Sequence, residues 1–246
     1  MSLNEVLDRI DADVNAATDR LLDLLRIQSV STDPAYKAEC EKAADWLVAD
    51  LKSIGIDAEK RVTPGHPLVV GHGGQENKDA PHVLFYGHYD VQPVDPLNLW
   101  KTPPFEPQLA EPDNGTVIRG RGASDDKGQL MTFVEACRAW QAIHGSLPCR
   151  ITFFFEGEEE SGSPSLVPFM KEHAEELKAD IALICDTSMV SRGVPSIASQ
   201  LPGMPKDVFT LAGPRIPLHP GPLGSPGLNP PRQITPLLVP VTNKDT

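Results

Sequence analysis

The first 200 residues of this 246-residue chain predict an α/β fold, with a mixed, mostly parallel sheet and helices on both of its faces. Segments with helical spacing alternate along this part of the chain with short apolar runs of the kind that form buried strands. Clusters of acidic and histidine residues follow three of those runs. The alternation predicts the fold, and the clusters predict where its functional site lies.

The predicted elements are bounded by residue types that favour helix ends. Pro34 suits the first turn of one helix, and Gly55 and Gly145 suit the residue after a helix. Helices are predicted over 1–25, 38–55, 127–143 and 165–178. Strands are predicted over 58–62, 67–71, 82–86, 150–155 and 180–185.

The character of the chain changes near residue 200. Eleven of its 25 prolines lie in 201–246, where the sequence still contains one strand-like pattern, 207–212. Because proline lacks an N–H group and breaks helices and central strands, 214–246 is predicted to be irregular. The sequence therefore predicts a catalytic domain over 1–200 and a separate, proline-rich segment over 201–246.

Bulk composition argues against several classes of protein. A formal net charge of −12 argues against a nucleic-acid partner, which would need a basic face. No apolar run reaches the roughly 20 residues of a membrane span. The N-terminus lacks the pattern of a secretory signal, which predicts a cytoplasmic location. The four cysteines form no CxxC pair, so buried thiols are expected rather than disulfides or a zinc knuckle.

Four polar clusters carry the predicted chemistry. GHYD (87–90), EGEEESGS (156–163) and Asp186 each follow a predicted strand, whereas RGASDDKGQ (121–129) precedes a helix. Ligands of open α/β sheets bind outside the carboxyl ends of the strands, so the first three clusters are expected to meet at one rim. Each cluster alone has an ordinary explanation, such as a helix cap, a solvated face or a turn. Their joint placement favours a functional site.

The residue types in these clusters suit a metal-dependent hydrolase. Imidazole nitrogen and carboxylate oxygen are ligands for Zn²⁺, Co²⁺ or Mn²⁺. Two such ions about 3.5–4 Å apart share a carboxylate and acidify a water molecule. A glutamate beside a ligand glutamate can then serve as the general base.

At these residues the sequence resembles a known family. GHYDVQP, GRGASDDKGQ, FEGEEESGS and ICDTS match, in order and spacing over roughly residues 15–200, the co-catalytic zinc peptidases. That family includes carnosinase-type dipeptidases, aminoacylase, glutamate carboxypeptidase, acetylornithine deacetylase and succinyl-diaminopimelate desuccinylase. The resemblance implies hydrolysis of peptide or N-acyl amide bonds, and the motifs look closest to the dipeptidase branch.

The resemblance also implies a role for individual residues. Asp125 would bridge two zinc ions, and its peptide bond to Asp126 would be cis. Asp90 would orient a histidine ligand, and Glu159 would be the general base. The implied metal ligands are His88, Asp125, Glu160 and Asp186.

The C-terminal segment resembles part of the family's α+β lid domain. LHPGPLGSPGLNP (218–230) is similar to a segment whose histidine stabilises the oxyanion in the partner subunit of a homodimer. His219 would be that residue, although Pro220 replaces the usual serine. No histidine follows His219 to serve as the last metal ligand, which predicts an incomplete or truncated copy, or a fragment whose end has diverged. The alternatives are an active hydrolase, a non-catalytic remnant of one, and a protein that binds metal or peptide without turnover.

Overall fold

The computed structural model describes residues 2–112, 115–187, 189, 191, 193–194 and 196–197. Apart from Ile197, all of these belong to one compact unit that ends at Ser196. The predicted strand at 207–212 and the remainder of 201–246 lie outside the described residues. The division into a catalytic domain and a lid segment therefore stays a prediction.

The central sheet has five strands in the spatial order β1-β2-β6-β3-β7. A separate two-stranded sheet pairs β4 with β5. The strands are β1 (Asp57–Arg61), β2 (Leu68–Gly73), β3 (His82–His88), β4 (Gln108–Ala110), β5 (Val117–Arg119), β6 (Arg150–Glu156) and β7 (Ile181–Ile184). Strand β2 pairs antiparallel with both β1 and β6, whereas β3 pairs parallel with both β6 and β7. Only β2 runs against the other four strands of this sheet, so the prediction of a mixed, mostly parallel sheet is confirmed.

Helices cover both faces of this sheet, as predicted. They are α1 (Leu3–Leu25), α2 (Lys37–Ser53), α3 (Lys127–His144), α4 (Leu166–Glu172) and α5 (Ala174–Leu177). Residues of α1, α2 and α3 share one buried cluster with the sheet, and residues of α4 and α5 share the second. Gly145 ends α3 in the left-handed conformation, at φ 70°. The single helix predicted over 165–178 is divided at His173, whose backbone leaves the helical region.

The buried strand β6 explains how both faces acquire a core. Phe153 and Phe155 belong to the cluster under α1, α2 and α3, and Phe154 belongs to the cluster under α4 and α5. Successive side chains of a strand point to opposite faces, so a continuous apolar run suits a strand covered on both sides. The run RITFFF is such a strand.

The parallel neighbours bring three chain segments to one rim of the sheet. His88 ends β3 and pairs in register with Glu156, which ends β6. Tyr86 pairs with Ile184 at the end of β7, two residues before Asp186. Since parallel strands end at the same edge, the clusters that follow them meet there, as the sequence predicts.

The remaining structural expectations concern cysteines and membranes. All four cysteines are free thiols, although only Cys40 and Cys137 are fully buried. The expectation of thiols rather than disulfides is confirmed. No helix in the described part of the chain combines the length and hydropathy that a membrane crossing needs.

Helix α5 is held to the sheet by Glu176, and this contact predicts a pH effect. Glu176 accepts hydrogen bonds from His72 Nε2 at 3.1 Å and Arg61 Nη2 at 2.7 Å. Burial would raise the pKa of Glu176, but the hydrogen bond from His72 and the charge of Arg61 lower it overall. A carboxylate with a lowered pKa stabilises the fold above its unfolded pKa, and the effect is lost as pH falls through the folded pKa.

We therefore expect Glu176→Gln to reduce the free energy of unfolding by about 1 kcal/mol at pH 7. The difference from the wild type should shrink once pH falls below about 4, the ordinary range of a glutamate. Urea unfolding at several pH values measures this, with the exposed neighbour substitution Glu175→Gln as the control. A difference that does not change with pH would contradict the ion-pair explanation.

Candidate metal centre

His88 lies at the centre of the polar cluster on the rim. Its side chain is fully buried, and its Nε2 lies 3.1 Å from Asp125 Oδ1 and 3.6 Å from Asp186 Oδ2. One potential ligand atom from each residue lies within 4.8 Å of the others. An imidazole nitrogen and two carboxylate oxygens that converge in this way form a donor set that fits a divalent cation such as Zn²⁺.

The three residues come from three different elements. His88 ends β3, Asp125 lies in the loop before α3, and Asp186 follows β7. The side chains of Asp125 and Asp186 are 61% and 32% exposed, whereas that of His88 is 0% exposed. The centre is therefore closed on its histidine side and open to solvent on its carboxylate side.

Asp90 supports the centre from behind. His88 Nδ1 lies 3.3 Å from Asp90 Oδ1 and 3.1 Å from the Asp90 carbonyl oxygen. The same carboxylate accepts the backbone N–H groups of Glu159 at 3.2 Å and Glu160 at 3.1 Å. A ring nitrogen held in this way leaves Nε2 free to bind a metal. Asp90 thus connects the histidine to the loop that carries both glutamates.

Glu159 and Glu160 begin a short 3₁₀ turn that two residues separate from the end of β6, and both are half-buried. Glu160 Oε2 accepts a hydrogen bond from Gln92 Nε2 at 2.5 Å, and Glu160 is not one of the three residues whose ligand atoms converge. Burial raises the pKa of Glu159, and the positive charge of His88 offsets this only in part. Burial also raises the pKa of Glu160.

Asp126 is a contributor to the site to which the sequence analysis gave no role. Its buried carboxylate accepts the backbone N–H of His88 at 3.1 Å through Oδ2. Its Oδ1 is buried with no hydrogen-bond partner in the described part of the chain, and burial raises the pKa of Asp126 to about 7. A Cβ on Gly87 would lie only 3.0 Å from Asp126 Oδ2. The available signals were the second aspartate of SDDKG and the glycine before His88.

Negative charge dominates this region. Burial would lower the pKa of His88, but the hydrogen bond and charge of Asp90, with the charges of Asp126 and Asp186, raise it to about 10. One imidazole is thus surrounded by several carboxylates within a partly buried site. A bound cation compensates such an arrangement, because it is the largest local charge and favours the ionised carboxylates.

Two expectations from the resemblance also concern this region. The Asp125–Asp126 peptide bond is cis, as expected. His219, the expected oxyanion residue, lies outside the described residues.

Comparisons with known proteins agree on one family. The model of peptidase family M20/M25/M40 matches residues 84–208, just over half of the chain. The chain is 32% identical over 236 residues to a Cys-Gly metallodipeptidase of Schizosaccharomyces pombe, which covers 91% of this chain and 49% of that protein. It is 30% identical over 210 residues to the human Beta-Ala-His dipeptidase, which covers 79% of this chain and 40% of that protein.

A solved structure shows the same likeness. The crystal structure of human carnosine dipeptidase 1 matches with a TM-score of 0.70 at 28% identity, over 77% of this chain and 42% of that chain. The chain spans about half the length of the curated relatives it matches, 49% in the case of the yeast protein.

The position of Asp90 leads to a prediction. Asp90→Asn keeps the side-chain volume but replaces one acceptor oxygen with an NH₂ group. That NH₂ group would face a donor whose hydrogen bond the carboxylate of the wild type accepts. We expect the affinity of the metal-free protein for Zn²⁺ to fall by about 10–100-fold, because the partners of metal ligands orient them. Isothermal titration measures this, with the exposed substitution Asp57→Asn as the control. Unchanged affinity in a folded Asp90→Asn protein would contradict the supporting role.

Proposed function

Because the chain belongs to peptidase family M20/M25/M40, we propose that it provides the catalytic domain of a metal-dependent hydrolase of small peptides, most like a dipeptidase. The observation that carries the proposal is the convergence of His88, Asp125 and Asp186 at the rim of the sheet. The named activities of the yeast and human relatives support a peptide substrate. Hydrolysis of an N-acyl amide bond requires the same chemistry.

We propose a two-ion site, with zinc as the metal and cobalt or manganese as substitutes. His88 and Asp186 would hold one ion, Glu160 the other, and Asp125 would lie between them. Burial is the main reason for the raised pKa of Glu160, and the negative charge of Asp125 adds to it. This repulsion supports the arrangement, because an ion between the two carboxylates would relieve it. Nitrogen and carboxylate ligands suit all three metals.

The chain's own residues suggest how a peptide bond would be broken. A divalent cation supplies a Lewis acid for the scissile carbonyl and an acidified water molecule. Glu159 accepts a proton from the attacking water and transfers it to the leaving amine. Its raised pKa suits this exchange, because a general base works best when its pKa approaches the operating pH. Asp90 holds the His88 ring in place throughout.

Further parts of the proposal concern the whole protein. His219 would stabilise the oxyanion in the active site of a partner subunit, which requires a homodimer formed through the lid segment 201–246. The domain division at residue 200 and a cytoplasmic location belong to the same proposal.

The proposal predicts that Glu159→Gln lowers turnover while metal content stays the same. The expected loss in kcat is about 10²–10⁴-fold, the usual contribution of a general base. The assay uses protein loaded with Zn²⁺ or Mn²⁺ and the dipeptides Cys-Gly and β-Ala-His, with the exposed substitution Glu172→Gln as the control. Metal binding by the wild type without hydrolysis of a dipeptide or an N-acyl amino acid would favour the non-catalytic alternative.

The ligand assignment has its own prediction. His88→Ala and Glu160→Ala should each lower the metal content of protein purified after exposure to excess Zn²⁺, because each removes one ligand. Metal analysis by mass spectrometry measures the loss, with His144→Ala and Glu172→Ala as matched controls outside the cluster. If both site variants keep the metal content of the wild type, the ligand assignment is wrong.

A further inference from the structure

We propose that Glu158 is a positioning residue, whose buried carboxylate fixes the loop that carries Glu159 and Glu160. This rests on the proposed function only for the roles of those two residues. Glu158 is buried, with only 5% of the residue exposed to solvent. Its Oε1 accepts the backbone N–H of His66 at 3.1 Å, and its Oε2 accepts the backbone N–H of Ser165 at 3.0 Å.

The chemistry of this contact requires a carboxylate. Both partners are backbone N–H donors, and they come from two separate segments of the chain. An ionised carboxylate has only acceptors, whereas a carboxamide has one acceptor oxygen and one donor NH₂ group. Glutamine at this position would therefore satisfy one N–H group and oppose the other. A buried N–H group left without a partner destabilises the loop, because its lost hydrogen bond to water is not replaced.

The segment on the far side of Glu158 is itself held in place. Thr63 Oγ1 donates to the carbonyl of His66 at 2.6 Å and accepts the N–H of Gly65 at 3.1 Å. The hydroxyl of Tyr89 donates to the carbonyl of Pro67. A Cβ on Gly65 would overlap with Glu158 Oε1, so glycine is needed for the carboxylate to reach this turn. The turn 63–67 is thus a fixed anchor for Glu158.

On its other side, Glu158 borders the loop that carries Glu159 and Glu160. The carbonyl of Glu158 accepts the N–H groups of Ser161 at 3.0 Å and Ser163 at 2.8 Å, which closes the turn that contains Glu159 and Glu160. Ser163 has φ 52°, a left-handed conformation that is uncommon for a residue with a side chain and must be held by its surroundings. Glu158 provides that support from one side of the loop, and Asp90 provides it from the other.

Two variants perturb this contact from opposite sides. Glu158→Gln removes one acceptor, and Gly65→Ala displaces the carboxylate without changing it. In metal-free protein, hydrogen exchange followed by mass spectrometry should show roughly tenfold faster exchange in peptides covering 157–165 in both variants, because the loop opens locally more often. Exchange in α3 should match the wild type. The control is Glu172→Gln, an exposed glutamate on α4.

A Zn²⁺ titration of the same proteins gives the functional readout. Both variants should lose about 10–100-fold in the affinity of the ion assigned to Glu160, the range expected when the support of a ligand is removed. Unchanged exchange in 157–165 would overturn the proposal. Faster exchange in α3 as well would also overturn it, because it would indicate a general loss of stability. The exchange readout requires neither metal nor substrate. A wild type that hydrolyses no dipeptide would therefore refute the proposed function but not the positioning role of Glu158.

Discussion

The carboxylate of Asp90 is the interaction on which the rest of the rim depends. It lies within 3.3 Å of the His88 ring and accepts the backbone N–H groups of Glu159 and Glu160. A buried charge is costly unless hydrogen bonds satisfy it. Here three donors do so, one from the end of β3 and two from the loop after β6. The residue thus couples the end of β3 to the loop after β6.

Among the described residues, the site gathers several carboxylates around one imidazole, that of His88. Burial raises the pKa of Asp126 to about 7 and also raises the pKa of Asp186. Buried and partly buried carboxylates of this kind reduce the stability of a metal-free fold and increase the affinity for a cation, so binding and stability are linked. Backbone amides absorb part of the charge, as at Asp126, which accepts the N–H of His88. The open side of the cluster, at Asp125, is where a cation and a substrate could enter.

The secondary structure could be predicted where burial makes the pattern clear. Strand β3 extends two residues beyond the predicted 82–86, to His88, and α3 ends one residue beyond the predicted 127–143. The β4–β5 hairpin was not predicted, because its two three-residue strands are partly exposed and too short to show a period. The break at His173 was missed for a related reason: a change in the backbone of one residue leaves the helical spacing on either side intact.

The sequence by itself determined that the segments after β3, β6 and β7 meet at one rim, because residues that follow parallel strands lie at the same edge of a sheet. It linked Asp125, which precedes a helix, to that rim only through the family resemblance. It also identified the family, because the motifs and their order and spacing can be read directly from the sequence. Only the tertiary structure decided the distances that bring His88, Asp125 and Asp186 together while Glu160 stays outside their group. It alone showed that Asp126 holds the backbone of His88, and that Glu158 holds the loop that carries Glu159 and Glu160. The bond from His66 to Glu158 joins residues 92 positions apart, and a contact between such distant segments follows from packing rather than from local pattern.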